Sequence, residues 1–352
     1  MTDHDTRIAD AGRTSVGPVR RVRIGRAPGP VLQVLDLGAT MHVLEVTGGD
    51  GVRRNVLLGH ATPQEHLDST AYIGGTIGRY ANRIAAGRVV VDGVPYELGT
   101  NDRGHHLHGG PDGFDRRVWE ISDLGDFTVT LSLTSPDGDQ GFPGTVDVTA
   151  RFSVSEAGSA AGDEVRLDLE ATTDASTLVN LTSHAYLNLA GDGSVDDHVL
   201  RLPAARFTPV DGTGIPTGGH LAVDGTPFDF RDGAEIGRRV REPHPQVVAA
   251  TGIDHNVVVD GTGLRTVATL ESDRARLRMV LASDQPGLQV YTGNFLDGSL
   301  AGTDGRLLRQ GAGIALEPQR FPDTPNRPDF GSAELRPGDT YRSSIVWAWQ
   351  PT

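Results

Sequence analysis

A few short segments gather the side chains that can move protons or hold hydroxyl groups. In LTSHAYLNLAG, residues 181 to 191, His184, Tyr186 and Asn188 recur at every second position. An extended backbone puts all three on one face and Ala185, Leu187 and Leu189 on the other. Such a strand is apolar behind and chemically equipped in front, while a satisfied core histidine is the plainer use of the same pattern. Near the C-terminus an apolar run, Ile314 to Leu316, delivers Glu317 and is closed at once by Pro318, and four prolines within eleven residues stiffen the next loop. A carboxylate held this way is placed like a catalytic group; a surface ion pair is its commoner use.

Four other segments offer ligand-holding groups. Asn82 and Arg83 in IGRYANRIAAGRV supply an amide and a fixed guanidinium fork, which suit the hydroxyl groups of a ligand or a structural tie between loops. In HHLHGG, residues 105 to 110, an extended backbone points His106 and His108 the same way. That spacing fits a metal pair, hydrogen bonding to a ligand, or two structural histidines, and Gly109 and Gly110 let the chain turn sharply afterwards. IDHN places Asp254 beside His255, and PGLQVYTGN places Gln289 and Tyr291 on one strand face; ordinary turn chemistry is the alternative reading of both.

The scaffold that must position these side chains is mostly strand. Phe127, Val129, Leu131 and Leu133 alternate with polar residues, as do Val146 to Val154, Val165 to Ala171, Leu277 to Leu281 and Tyr341 to Trp349. The turn-rich SPDGDQGFPG between the first two predicts a long antiparallel pair. Only TPQEHLDSTAY, around residues 62 to 72, has room for about two helical turns. SEAGSAAGDE reads as a surface loop between strands. The candidate groups lie more than 230 residues apart, from Asn82 to Glu317, which favours one large antiparallel β-sandwich domain over two independent domains. The expected organisation is a loose tail over residues 1–17 and one all-β domain over 18–352, with very little helix.

Composition narrows the chemistry. The 352 residues include no Cys and no Lys, so all 32 basic residues are Arg. Thiol nucleophiles, Cys-bound zinc, a phosphate-loop Lys and Schiff-base chemistry are excluded. Carboxylate, His, Tyr, Ser/Thr and Arg remain. A formal charge of −14, with Arg spread along the chain, disfavours nucleic acid and anionic membrane surfaces as partners. The first 17 residues are polar, and no apolar run approaches the roughly 18 residues a membrane helix needs, so a cytoplasmic protein is expected.

Taken in order, GRYANRI, LHGG followed by GFDRRVW, SPDGDQGFPG, SHAYLNL, DHN, GLQVYTGN and LEPQRFPDTPN resemble the aldose 1-epimerase (galactose mutarotase) family, from about residue 74 to residue 328. The resemblance implies a galactose mutarotase-like supersandwich with an open sugar cleft. It also implies exchange of the α and β anomers of a free aldose such as galactose or glucose, with no cofactor and no metal. By the same resemblance His184 is the general acid and Glu317 the general base, with Glu317 ionised and His184 protonated. Asn82, Arg83, His108, Tyr186, Asp254 and Gln289 then line the cleft around the sugar. Two positions depart from the family pattern: Ser183 replaces the usual Asn before the histidine, and Leu187 the usual Phe. A hexose-phosphate epimerase of the same fold, a non-catalytic sugar-binding module and a β-sandwich glycosidase or lyase are the rival readings. Whether the chain is a monomer or a dimer is not encoded in these patterns.

Overall fold

Strict alternation makes the largest sheet. In Val146–Val154 the even-numbered residues are all buried and those between them are exposed or half-buried, so one face is apolar and the other meets water. This strand pairs with Thr128–Ser135 on one side and with Asp163–Thr173 on the other, without a register shift. The long antiparallel pair predicted around SPDGDQGFPG is therefore present. The sheet has nine antiparallel strands, in the order Glu120–Leu124, Thr128–Ser135, Val146–Val154, Asp163–Thr173, Tyr341–Pro351, Leu277–Ser283, Arg265–Ser272, Val199–Arg201 and Ala234–Glu235. The C-terminal strand thus sits in the middle, hydrogen-bonded to strands far away in sequence.

A second sheet has six strands, in the order Tyr186–Leu187, Ile314–Gln319, Gly287–Tyr291, Asp254–Val258, Arg206–Phe207 and Leu221–Ala222. One of its faces carries Leu288, Val290, Ile314 and Leu316, which join Val148, Phe152, Leu167, Leu281 and Trp347 of the nine-stranded sheet in one apolar core. A five-stranded sheet over residues 8–55 adds Leu32, Val34 and Leu44 to the same cluster. These layers form a large antiparallel β-sandwich. The computed structural model describes residues 7–159 and 162–352, so the SEAGSAAGDE loop is described except for residues 160 and 161.

The expected loose tail needs correcting. Ile8–Thr14 is a strand, paired with Gly17–Gly25 as the edge of the five-stranded sheet. Polar composition hid it, because an edge strand needs backbone pairing more than buried side chains. The helix expected near residues 62 to 72 is Pro63–Asp68, opened by a capping box between Thr62 and Glu65. Among the described residues no helix is long and apolar enough to cross a membrane.

Candidate active site

The six-stranded sheet explains how distant segments meet. Its register sets Glu317 opposite Gln289, and Gln289 opposite Asn256, so one row crosses three strands. Tyr291 and Asp254 pair in the neighbouring row of the same face. Glu317, Gln289, Tyr291 and Asp254 on this face line an open cavity of about 840 Å³. Glu317 is not at a strand end, as the sequence suggested, because the strand runs on to Gln319. Beyond Ala315 its one strand neighbour is Gly287–Tyr291, and that open side accommodates Pro318, which has no N–H to offer.

All eight expected residues, Asn82, Arg83, His108, His184, Tyr186, Asp254, Gln289 and Glu317, line this cavity. His184 enters from the short connection between Thr182–Ser183 and Tyr186–Leu187, pinned by its backbone: its N–H donates to Gly75 O at 2.9 Å and its carbonyl accepts from Gly74 N–H at 3.0 Å. Its Nε2 lies 3.7 Å from Glu317 Oε1, and both side chains are buried. Gln289 Nε2 donates to Asp254 Oδ1 at 2.7 Å. Glu317 Oε2, Gln289 Oε1 and His184 Nδ1 are buried without a protein hydrogen-bond partner among the described residues. Buried polar atoms of this kind are normally satisfied, and a polyhydroxylated ligand would do so.

Asn82 and His108 both have left-handed backbone, at φ 66° and 51°. They are joined by a hydrogen bond from Asn82 N–H to His108 Nδ1 at 3.1 Å. Gly109 must be glycine here, since a Cβ would stand 1.8 Å from Gly78 O. Arg83 donates its Nε to Asp102 Oδ2 at 2.9 Å, and its two terminal nitrogens make no further hydrogen bond among the described residues.

A metal does not fit this donor set. Ligand atoms of His108, His184 and Glu317 do lie within 4.8 Å of one another. Because His108 Nδ1 accepts from Asn82, however, the neutral ring keeps its proton on Nε2, which makes that atom a donor rather than a ligand. The pairing of His106 with His108 also fails. His106 turns away, hydrogen-bonded through Nδ1 to Gly99 O at 2.7 Å and packed on Phe142.

Other sequence expectations resolve similarly. The Asn188 amide donates to backbone carbonyls of Asp192, Gly193 and Ala312, so it fastens a loop outside the cavity. The Tyr186 hydroxyl donates to Ala71 O at 3.0 Å, and the ring forms the wall against His184, 5.0 Å between centroids. Ser183 and Leu187, the two departures from the family pattern, are buried outside the cleft: the Ser183 hydroxyl faces the Met41 sulfur and Leu187 joins the core. Neither lines the cavity.

Three cleft residues carry no clear signal in the sequence. Tyr72 stacks on His184 at 5.9 Å and crowds His108 at 4.7 Å. Asp102 holds Arg83, and Phe295 stands 62% exposed at the rim. Asp102 lies in a turn-like NDRG run without a functional signature. Tyr72 has only its neighbouring glycines as a signal.

Electrostatics corrects the expected charge states. Burial, reinforced by Asp254 and opposed by Arg83, drives Glu317 well above the usual carboxylate range. Burial likewise lowers His184 to about 4, and His108 falls well below its ordinary value through burial and then through His184 and Arg83. Both shifts act against the charged forms, and so against the ion pair that the resemblance implies.

Fold and cleft define the class first: a large antiparallel β-sandwich whose open, polar cleft holds a paired carboxyl and imidazole at its floor. The chain belongs to the aldose 1-epimerase family, whose profile matches residues 20–347. It is 38% identical to galactose mutarotase of Rattus norvegicus over 313 residues, which span 88% of each chain. It is 37% identical to aldose 1-epimerase of Escherichia coli K12 over 332 residues, 93% of this chain and 94% of that one. Among solved structures, a galactose 1-epimerase from Lactobacillus acidophilus superposes with a TM-score of 0.85 at 28% identity, covering 97% of this chain and 98% of the other.

Proposed function

We propose that this chain interconverts the α and β anomers of a free aldohexose, such as galactose or glucose, in the cytoplasm. The observation that carries the reading is the 3.7 Å approach of His184 Nε2 to Glu317 Oε1 within an open cleft of about 840 Å³. Anomer exchange needs one proton taken from the O1 hydroxyl and one given to ring oxygen O5. A sugar hydroxyl donating to Glu317 favours its carboxylate form, and the displaced proton passes to His184. Glu317 then takes the O1 proton while His184 protonates O5. The C1–O5 bond breaks, leaving the open-chain aldehyde. Rotation about C1–C2 presents the other carbonyl face, O5 re-adds, and both protons return along the same routes. Each positioned proton transfer typically contributes about 10² to 10⁴ in rate.

The remaining groups hold the sugar. Arg83 offers two free guanidinium nitrogens, His108 an Nε2–H donor, and the Gln289–Asp254 pair an acceptor edge. The cavity wall carries Asp68, Asp102, Asp254, Asp297 and Glu317 against Arg83, Arg103 and Arg116. Carboxyl groups thus outnumber cations, which disfavours a phosphorylated sugar. Rivals that lack acid–base chemistry give no role to the His184–Glu317 pair.

The test is polarimetry of α-glucose and α-galactose with and without protein, alongside a hexose phosphate. The proposal expects accelerated equilibration of at least one free sugar and little for the phosphate. A rate no faster than the uncatalysed one for both free sugars would overturn it.

A further inference from the structure

Sugar binding in the cleft depends on where the Arg83 guanidinium points. The Arg83 backbone is fixed from both sides, with its N–H donating to Asn82 Oδ1 at 2.8 Å and its carbonyl accepting from Asp323 N–H at 2.8 Å. The side chain is directed by something else. Asp102 takes Nε, and a turn formed by residues 209–217 lies against the flat face: a Cβ placed on Gly214 would stand 2.8 Å from Arg83 Cζ and 2.9 Å from both Nε and Nη1. Gly214 also has φ +88°, where a side chain is strained. Its bare backbone is therefore seated where any side chain would push the guanidinium away.

That turn is braced at every corner. Thr217 N–H donates to Pro209 O at 3.0 Å and Asp211 N–H to Ile215 O at 2.9 Å. The Asp211 carboxylate accepts from Thr213 N–H at 2.8 Å and Ile215 N–H at 3.1 Å. At its base the Gln246 side chain clamps both polar groups of Val210, at 2.9 and 2.8 Å, and accepts from His255 Nε2 at 3.0 Å, the residue after Asp254. At its tip Arg103 Nη1 donates to Gly212 O at 3.0 Å, and Arg103 also pairs with Asp102. His105 Nδ1 accepts from Ala86 N–H at 2.9 Å, which leaves its Nε2–H to donate to Thr213 Oγ1 at 3.0 Å. Arg83, Asp102, Arg103 and the turn thus close a ring of contacts around the guanidinium.

We propose that this 209–217 strap is the template that aims Arg83 into the cleft, with Gly214 as its positioning residue. The inference rests on the sugar-holding role given to Arg83 in the proposed function. No residue of the strap lines the cavity; it acts through Arg83, leaving the terminal nitrogens free for the ligand.

A double-mutant cycle on anomer exchange, read by polarimetry, separates positioning from general damage. Gly214→Ala is expected to lower kcat/KM about tenfold in the native chain, the loss that accompanies a weakened hydrogen bond to a charged group. In an Arg83→Ala background, where there is no guanidinium to displace, the same change should cost less than about twofold. Thr213→Val, which breaks the His105 latch without adding bulk, should cost about threefold and lose that effect in the same background. The Thr213 cycle carries the test if Gly214→Ala does not fold. Equal losses in both backgrounds overturn the inference, as does an unimpaired folded Gly214→Ala. If Arg83→Ala alone leaves exchange at the native rate, the role of Arg83 in the proposed function fails as well.

Discussion

The nine-stranded and six-stranded sheets obey the same alternation and use it differently. Val146–Val154 buries every second residue and leaves the others at least partly in water. Gly287–Tyr291 and Ile314–Gln319 are buried at every position. The first arrangement gains stability from one apolar face, at about 25 cal/mol per Å² of apolar area removed from water. The second shares the same core through Leu288, Val290, Ile314 and Leu316, then covers a second face that is polar. Covering Glu317 and Gln289 has a free-energy cost, visible in the shifted titration of Glu317 and in acceptors left without protein partners. A buried polar face on an otherwise ordinary sheet is thus the mark of the site.

The contrast breaks if damage to the first sheet lowers catalysis in proportion to stability. Leu167, fully buried in the nine-stranded sheet, is the probe. Leu167→Ala should destabilise the fold by about 2–5 kcal/mol, measured by urea unfolding, while the exchange rate per folded molecule stays near that of the native chain. A comparable fall in that rate would contradict the division.

Acid should sharpen the contrast with a smaller effect. Burial holds His42, His106, His184 and His255 down to about 4 and His60 to about 3. Each folded pKa lies below the ordinary 6.5, so the unfolded chain takes up these protons first. Their stabilisation is complete above about 6.5 and is withdrawn as pH falls toward 4. Asp115, raised to about 7 by burial, and Glu317 act oppositely, since the unfolded chain ionises first and stability falls as pH rises from about 4. Among the described residues nine imidazoles are lowered, His66, His108, His198 and His220 with these five, against four raised carboxyls, Asp36 and Asp163 with these two, so Tm should fall between pH 6.5 and 4.5. A Tm that rises over that interval would contradict the burial of neutral histidines.

Much of the fold is legible in the sequence because period-two patterning reports which faces are buried. The long strands of the nine-stranded sheet follow from their alternation alone. The cleft residues stand in ordered motifs that converge on one cavity. What escapes the sequence has physical reasons. Ile8–Thr14 pairs through its backbone and buries little. Tyr72 and Asp102 act through contacts to His184 and Arg83 that no spacing encodes. The titration of Glu317 and His184 depends on burial, which acts against the ion pair that the resemblance implies.

The measurement closest to the central claim is the exchange rate of Glu317→Gln. The substitution keeps the side chain's shape but removes the group assigned to take the O1 proton. The account predicts a fall of about 10² to 10⁴ in kcat, with sugar binding still detectable by ligand-induced thermal stabilisation. Exchange at close to the native rate in a folded Glu317→Gln protein would contradict it.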